Sequence, residues 1–543
     1  MTDPQEILNR KHVQLSKNRD LVKKELENYQ KDDNLDYEYI SDIRKYVIEN
    51  RDKNAFVKYF KKNCLKELEK NFLADFLDVN SSAEGNTNNP LYGVPVSIKE
   101  AMAVKGFDST CGLVKNCLKP CSEDSVIVAV LKHIGAIPFI TTSMAQGGLS
   151  IDSSNPVHGV QENPRFKGFL AGGSSGGEGI AISLGLSPIG VGTDIGGSIR
   201  FPAAFNGISA LKPTYPRLST KGHVRISEYL PLIFRIVIGP LGRKVEDLAD
   251  FMRAVLCDYH FQLDPEVIPM KFNENLYLSN KLKIGYYDSF NEPFLPDTVP
   301  GVKRGVKCAV ESLKALDHDV QPFKVPNVSH GIRLALSCLF ADGGRTLSIA
   351  YKDEILDKSN EEMGKIIKVP RGLRKLFGSF LLKQNGKFIG SLNKEINGFD
   401  SYIESARVCY EAEKYKTEFL KAMDQFDVII CPLFPVPIPK KETKSLLNNI
   451  GTVYAFLYNV LNLPAGVVPV DKTTLEDVKL AKEAIPSFER VNDVLNATFH
   501  KTQDTEGQPL YVQVVGKPFR EEVVLCAMKE LEKKSNYKLE MPK

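Results

Sequence analysis

The sequence predicts an α/β fold in which a central β-sheet is covered by helices on both faces and preceded by a helical arm over residues 1–80. Three observations carry this. Short apolar runs alternate with stretches of helical spacing along the main body, the first 80 residues show helical spacing alone amid many charges, and no solenoid-length repeat is present.

Taken in order, the arm places Phe56, Tyr59, Phe60, Cys64, Leu68 and Phe72 at helical intervals. A polar Asn/Ser/Gly stretch at 80–89 separates it from a main body at 90–540 that opens with Gly93-Val94-Pro95-Val96-Ser97-Ile98-Lys99-Glu100, a short buried strand. Between Ser125 and Thr142 helical spacing gives way to the compact run Ala136 to Ile140, a helix followed by a strand. Further strands are expected at 188–192, 282–287, 428–431, 465–470 and 511–515. The uncharged run Ser445 to Val470 is long enough to span a bilayer, but four asparagines and two prolines make it a buried helix, turn and strand.

Composition narrows the function. Seventy-one basic against 67 acidic residues leave a charge of +4, too small a surplus in 543 residues for nucleic-acid binding by bulk electrostatics. Ten scattered cysteines without CxxC spacing argue against zinc and against a disulfide scaffold, so neither metal nor cofactor is expected. Twenty of the first 50 residues are charged and no apolar signal core follows, so a cytosolic location is expected, without signal peptide or transmembrane helix.

The chemistry concentrates in two glycine-serine loops. Gly172-Gly173-Ser174-Ser175-Gly176-Gly177-Glu178-Gly179 is followed about twenty residues later by Gly192-Thr193-Asp194-Ile195-Gly196-Gly197-Ser198-Ile199-Arg200-Phe201-Pro202. Ser175 and Glu178 have capping-box spacing, which predicts a helix from just after the first loop to near Leu184. A flexible linker is disfavoured by the apolar flanks, a phosphate loop by the missing Gly-Lys-Ser/Thr, and a nucleophile elbow by Ile199 and Arg200 after Ser198. None of the eight histidines lies in these loops, and His158 is the nearest. Lys99, ending an apolar strand, is a candidate base, because desolvation favours a neutral amine.

These loops, with the Gly93–Glu100 strand upstream and Leu211-Lys212-Pro213-Thr214 downstream, resemble the amidase-signature serine hydrolases, as do the later segments Pro464 to Pro469 and Gly507 to Gln513. The resemblance runs from about residue 90 and implies a single large catalytic domain with a mixed central sheet. It implies Ser198 as the acyl-accepting nucleophile, Ser174 as the bridging serine and Lys99 as the base, with the amides of Ile195, Gly196, Gly197 and Ser198 as the oxyanion hole. It also implies a cis peptide at Gly173-Ser174 and a homodimer. Asp194 and Arg200 read better as pins for the catalytic loop than as substrate ligands, and Ser175 as a helix cap.

Within the family, Phe201, the Leu339–Arg345 segment and Leu457-Tyr458-Asn459 look most like the fatty acid amide hydrolases. That implies cleavage of N-acylethanolamines and primary fatty amides, with Gly148, Leu149, Ser150, Ile151, Leu339 and Phe340 as acyl-chain neighbours. Gly148 stands where that branch carries a bulkier apolar side chain. The segment 368–390 adds an independent cue: Leu373, Leu376, Phe377, Phe380 and Leu381 form one helical face, with Arg371, Arg374, Lys375 and Lys383 on the other. This pattern suits a helix lying on an anionic bilayer, here the cytosolic face of an intracellular membrane. The alternatives are a core-packed helix there, a glutamine amidase of the tRNA-amidotransferase A-subunit type, or an inactive lipid-binding scaffold.

Overall fold

Eleven strands among the described residues form one mixed sheet: β1 (Leu73–Phe76), β2 (Pro95–Lys99), β3 (Ile137–Thr142), β4 (Ile189–Asp194), β5 (Ser209–Lys212), β6 (Val237–Gly242), β7 (Lys283–Tyr286), β8 (Asp319–Pro322), β9 (Val428–Cys431), β10 (Ala465–Lys472) and β11 (Pro509–Gly516). Their order is β1-β3-β2-β4-β6-β5-β10-β11-β9-β7-β8. The computed structural model describes residues 3–27, 39–50, 55–77, 86–224, 235–292, 295–374, 397–441, 450–484 and 506–540.

The half of the sheet that carries Lys99 is built on β2, which runs parallel to β3 on one side and β4 on the other. Every residue of β2, β3 and β4 is buried, as expected for parallel strands covered on both faces. α4 (Val126–His133) links β2 to β3, and α5 (Gly176–Ser183) links β3 to β4. Lys99, the Ser174 loop and the Ser198 loop therefore all emerge at the carboxyl ends of adjacent parallel strands, where open α/β sheets form ligand sites. β4 to β6 and β6 to β5 are antiparallel, and β10 and β11 carry the pairing across to the parallel group β9-β7-β8.

The amino-terminal segment is helical in α1 (Pro4–Glu25), α2 (Ile40–Asn50) and α3 (Ala55–Lys66), but it is not helical throughout. Leu73–Phe76 is a strand that pairs antiparallel with β3 at the sheet edge. Val22, Ile40, Val47, Phe56, Phe60 and Cys64 join the core cluster that contains β2 and β3, so this segment packs as a layer on the main sheet. Asn459 and Tyr458 lie on the helix Val453–Val460, which a turn joins to β10, matching the buried helix, turn and strand expected of that uncharged run.

Residues 375–396 lie outside the described residues, and with them Leu376, Phe377, Phe380, Leu381, Lys375 and Lys383 of the amphipathic segment. Two of its basic residues, Arg371 and Arg374, lie among the described residues. Arg371 donates to the carbonyls of Asn397 and Gly398 and pairs with Asp400 at 2.9 Å, while Arg374 donates to Gly343 O at 2.8 Å. Both guanidiniums are thus engaged by loop carbonyls of the protein itself, Arg371 through Nε and Nη2 and Arg374 through Nη2, while Arg374 Nε and Nη1 find no partner among the described residues.

Candidate active site

Lys99 is fully buried at the end of β2. Its Nζ lies 2.7 Å from Ser174 Oγ, 2.8 Å from Thr193 Oγ1 and 3.4 Å from Thr193 O. Burial lowers its pKa to about 7 even though Cys111, Asp194 and Glu178 pull the other way. A neutral amine has one lone pair and two N–H groups, so it can accept the Ser174 O–H while donating to the Thr193 oxygens. Thr193 is a neighbour of Lys99 that the sequence left without a role; a threonine near the end of a strand reads only as a good β-former.

The two glycine-serine loops are stitched together by the backbone, with Ser175 N donating to Ser198 O at 3.1 Å. Ser174, buried at 2 % exposure, and Ser198, at 9 %, face the same cavity together with Thr193 and Cys111. Among the described residues no hydrogen bond joins Ser174 Oγ to Ser198 Oγ; the Ser174 hydroxyl is engaged by Lys99 Nζ. The Gly173-Ser174 peptide is cis. Gly172, at φ +82°, brings its α-carbon so close to Phe201 that an added Cβ would sit 2.8 Å from that residue's carbonyl carbon. Only glycine fits this approach.

Ser175 departs from its expected role. α5 begins and ends where the spacing predicts, yet the Ser175 side chain caps nothing and instead donates to Thr193 O at 3.4 Å. Glu178 does not reach back to the cap either. Its carboxylate accepts from Ser97 Oγ at 2.5 Å and Thr142 Oγ1 at 2.7 Å, beneath β2 and β3.

Asp194 and Arg200 pin the Ser198 loop from within. Arg200 Nε and Nη2 donate to the two Asp194 oxygens at 3.0 and 3.1 Å, both side chains being wholly buried. Burial alone would raise the Asp194 pKa, but Arg200 holds it well below the usual carboxylate range. The carboxylate also accepts from Gly197 N at 2.8 Å, Ile199 N at 3.2 Å and Asn459 Nδ2 at 2.8 Å. Arg200 reaches further to Asn459 Oδ1 at 2.6 Å, to Ala455 O at 3.1 Å and to Gln513. This corrects the expected oxyanion set: the Gly197 amide is turned inward to Asp194, which leaves Ile195, Gly196 and Ser198 as the candidate donors.

Of the six expected acyl-chain neighbours, Gly148 and Leu149 border the cavity. Ser150, Ile151, Leu339 and Phe340 do not. Ile151 belongs to a core cluster with Ile182, Phe201 and Phe205, the Ser150 hydroxyl accepts from Asp152 N at 3.1 Å, and Leu339 packs at the margin of another cluster. Positive φ at Gly147 (+69°) and Gly148 (+74°) turns the chain sharply, and beyond Leu149 it leaves the cavity wall. Phe340 follows the helix Val328–Leu339 as its half-buried carboxyl-terminal cap. His158 pairs with Glu100 at 3.1 Å and belongs to the support behind β2; the histidine that borders the cavity is His223.

The family model described as Amidase matches residues 43–525. The chain is 38% identical over 453 residues to the fatty-acid amide hydrolase 1 of Sus scrofa, covering 82% of this chain and 76% of that one. It is 34% identical over 469 residues to the fatty acid amide hydrolase 1 of Caenorhabditis elegans, covering 84% and 79%. A solved structure of a fatty acid amide hydrolase superposes with a TM-score of 0.76 at 22% identity, covering 98% of this chain and 91% of that one, a likeness of fold.

Proposed function

Since the chain belongs to the amidase signature family and acts as an amidase on carbon–nitrogen amide bonds, we propose that it hydrolyses long-chain fatty acid amides through an acyl-enzyme on Ser198. The observation that carries the chemistry is a buried Lys99, its pKa near 7, within 2.7 Å of Ser174 Oγ. In the proposed cycle Lys99 takes a proton from Ser174, and Ser174 takes one from Ser198 as that oxygen attacks the amide carbon. The amides of Ile195, Gly196 and Ser198 donate to the tetrahedral oxygen, each such donor contributing about 2.7 to 4 kcal/mol in hydrolases of this kind. The proton then returns along the same path to the departing amine, the demanding half of amide cleavage. Water repeats the sequence on the acyl-serine and releases fatty acid.

The lipid substrate class rests on the two fatty acid amide hydrolases similar to this chain over more than three quarters of their length. Turnover on the purified protein should rise from acetamide to amides of sixteen or more carbons, because each methylene moved out of water contributes about 0.8 kcal/mol. Hydrolysis of glutamine without turnover of any fatty amide would instead favour the amidotransferase type.

Peripheral attachment to the cytosolic face of intracellular membranes is part of the same reading. Among the described residues no helix is long and apolar enough to cross a membrane. Leu373 (49 % exposed), Tyr402 (87 %) and Ile403 (79 %) are exposed apolar side chains within two or three residues, in sequence, of the paired Arg371 and Asp400. Replacing Leu376 and Phe380 by Glu should reduce co-sedimentation with anionic vesicles, and unchanged sedimentation would remove the membrane component. Sedimentation velocity on the same protein reads the homodimer that the family resemblance implies.

A further inference from the structure

Glu178 is a wholly buried carboxyl for which the proposed reaction has no use. It sits in the first turn of α5, and its oxygens accept from Ser97 Oγ on β2 and Thr142 Oγ1 on β3. Ser97 and Lys99 are two apart on β2 and so share a face, and Thr142 is the direct partner of Lys99 across β2 and β3. The third wall is β4, where Gly190 has no side chain and its α-carbon lies against the carboxyl; a Cβ there would overlap Glu178 Oε2 and crowd Ser97 Oγ. The sheet is therefore shaped around this group at all three strands that deliver the catalytic loops.

A buried carboxylate ordinarily has a cation beside it. Among the described residues none lies within ion-pair distance of Glu178, and the positive charge that acts on it is Lys99. The charged and titratable groups that act on Lys99 in turn are Cys111, Asp194 and Glu178. Asp194 is already committed to Arg200, and burial pushes the Cys111 thiol far up, which keeps it neutral. Glu178 is thus the one acidic neighbour of the base whose charge is free to change near neutral pH; burial raises its pKa to about 7, against the two hydroxyl donors and Lys99.

We propose that Glu178 is a positioning residue for the base, clamping the Lys99 face of β2 through Ser97 and Thr142 and restraining, when ionised, release of the lysine proton. The proposal rests on the reading of Lys99, Ser174 and Ser198 as the hydrolytic set. It makes the active form of the site one in which Lys99 is neutral, reached either with Glu178 protonated or, at higher pH, with both groups deprotonated. The pair then titrates in two coupled steps rather than as one group.

The test is the rate of Ser198 labelling by a fluorophosphonate as a function of pH, which needs no knowledge of the natural amide. Glu178→Gln keeps the size of the group and removes its charge. Its acid limb should move to lower pH by about 1 unit and sharpen to a single ionisation. Thr142→Val removes one donor to the carboxylate, so Glu178 stays protonated to higher pH and the limb should again move down; this milder variant serves if Glu178→Gln does not fold. A limb that stays in place, or moves up, in the folded variants overturns the proposal, since a purely structural role would lower the rate at every pH alike. Wild-type protein that is never labelled would reject the serine-hydrolase reading itself, and this proposal with it.

Discussion

Ser198→Ala is expected to abolish both fluorophosphonate labelling and amide turnover, lowering kcat by about 10^5-fold, while leaving the fold intact. The size of the loss follows from the role: without the oxygen no acyl-enzyme can form, and the neighbouring groups act only through it. The neutrality toward folding follows from the packing. Ser198 is 9 % exposed and its hydroxyl makes no hydrogen bond among the described residues, so truncation leaves no buried partner unsatisfied. Thermal unfolding should differ from wild type by no more than about 0.5 kcal/mol. Turnover retained in Ser198→Ala would transfer the chemistry to another group, and large destabilisation would mean the serine is structural.

The second large effect is expected at Lys99. Lys99→Ala should lower kcat/KM for a fatty amide by about 10^3-fold and for the matching ester by clearly less, because an amine must be protonated as it leaves and an alkoxide needs less help. Equal losses on both substrates would count against Lys99 as the proton source. In the wild type the rate should rise with pH through about 7, as the ammonium gives up its proton. The same burial makes a statement about stability. The unfolded lysine titrates near ~10.4 and the folded one near 7, so between these values the unfolded chain binds more protons. Stability should therefore rise with pH across that window by up to about 1.4 kcal/mol per unit from this group, and below pH 7 the group contributes no slope. Lys99→Met should remove this slope and, by deleting an ion-forming group from an apolar site, unfold at higher temperature near neutral pH.

Much of the fold was legible because seven strands declare themselves as compact apolar runs, the helix before β3 as a periodic one and α5 through the Ser175–Glu178 spacing. The strands that were not anticipated each have a reason. β6 reads Val237-Ile238-Gly239-Pro240-Leu241-Gly242, turn composition on its face, yet it lies between β4 and β5, with Val191 opposite Pro240. β8 is an edge strand with only Val320 buried, too polar to stand out. β5 is four residues long, and β1 is a four-residue edge strand hidden behind the helical periodicity of the residues before it.

The site divides in the same way. Lys99 could be read as a base because an apolar strand ending in lysine already implies desolvation, and the structure places it against Ser174. The inward commitment of the Gly197 amide and the departure of Ile151 from the cavity could not be read, since both depend on where the backbone turns. Glu178 was misassigned because capping-box spacing describes sequence neighbours, whereas its actual partners arrive from β2 and β3. Three-dimensional partners took precedence over a local motif.

The most direct measurement is mass spectrometry of the protein quenched milliseconds after mixing with a long-chain primary amide, at several pH values. An adduct of the acyl mass on the peptide bearing Ser198, accumulating faster as pH passes through about 7 and missing in Lys99→Ala, is the predicted result. An acyl group on Ser174 or Cys111, or a rate of acylation indifferent to pH between about 6 and 8, would contradict the account.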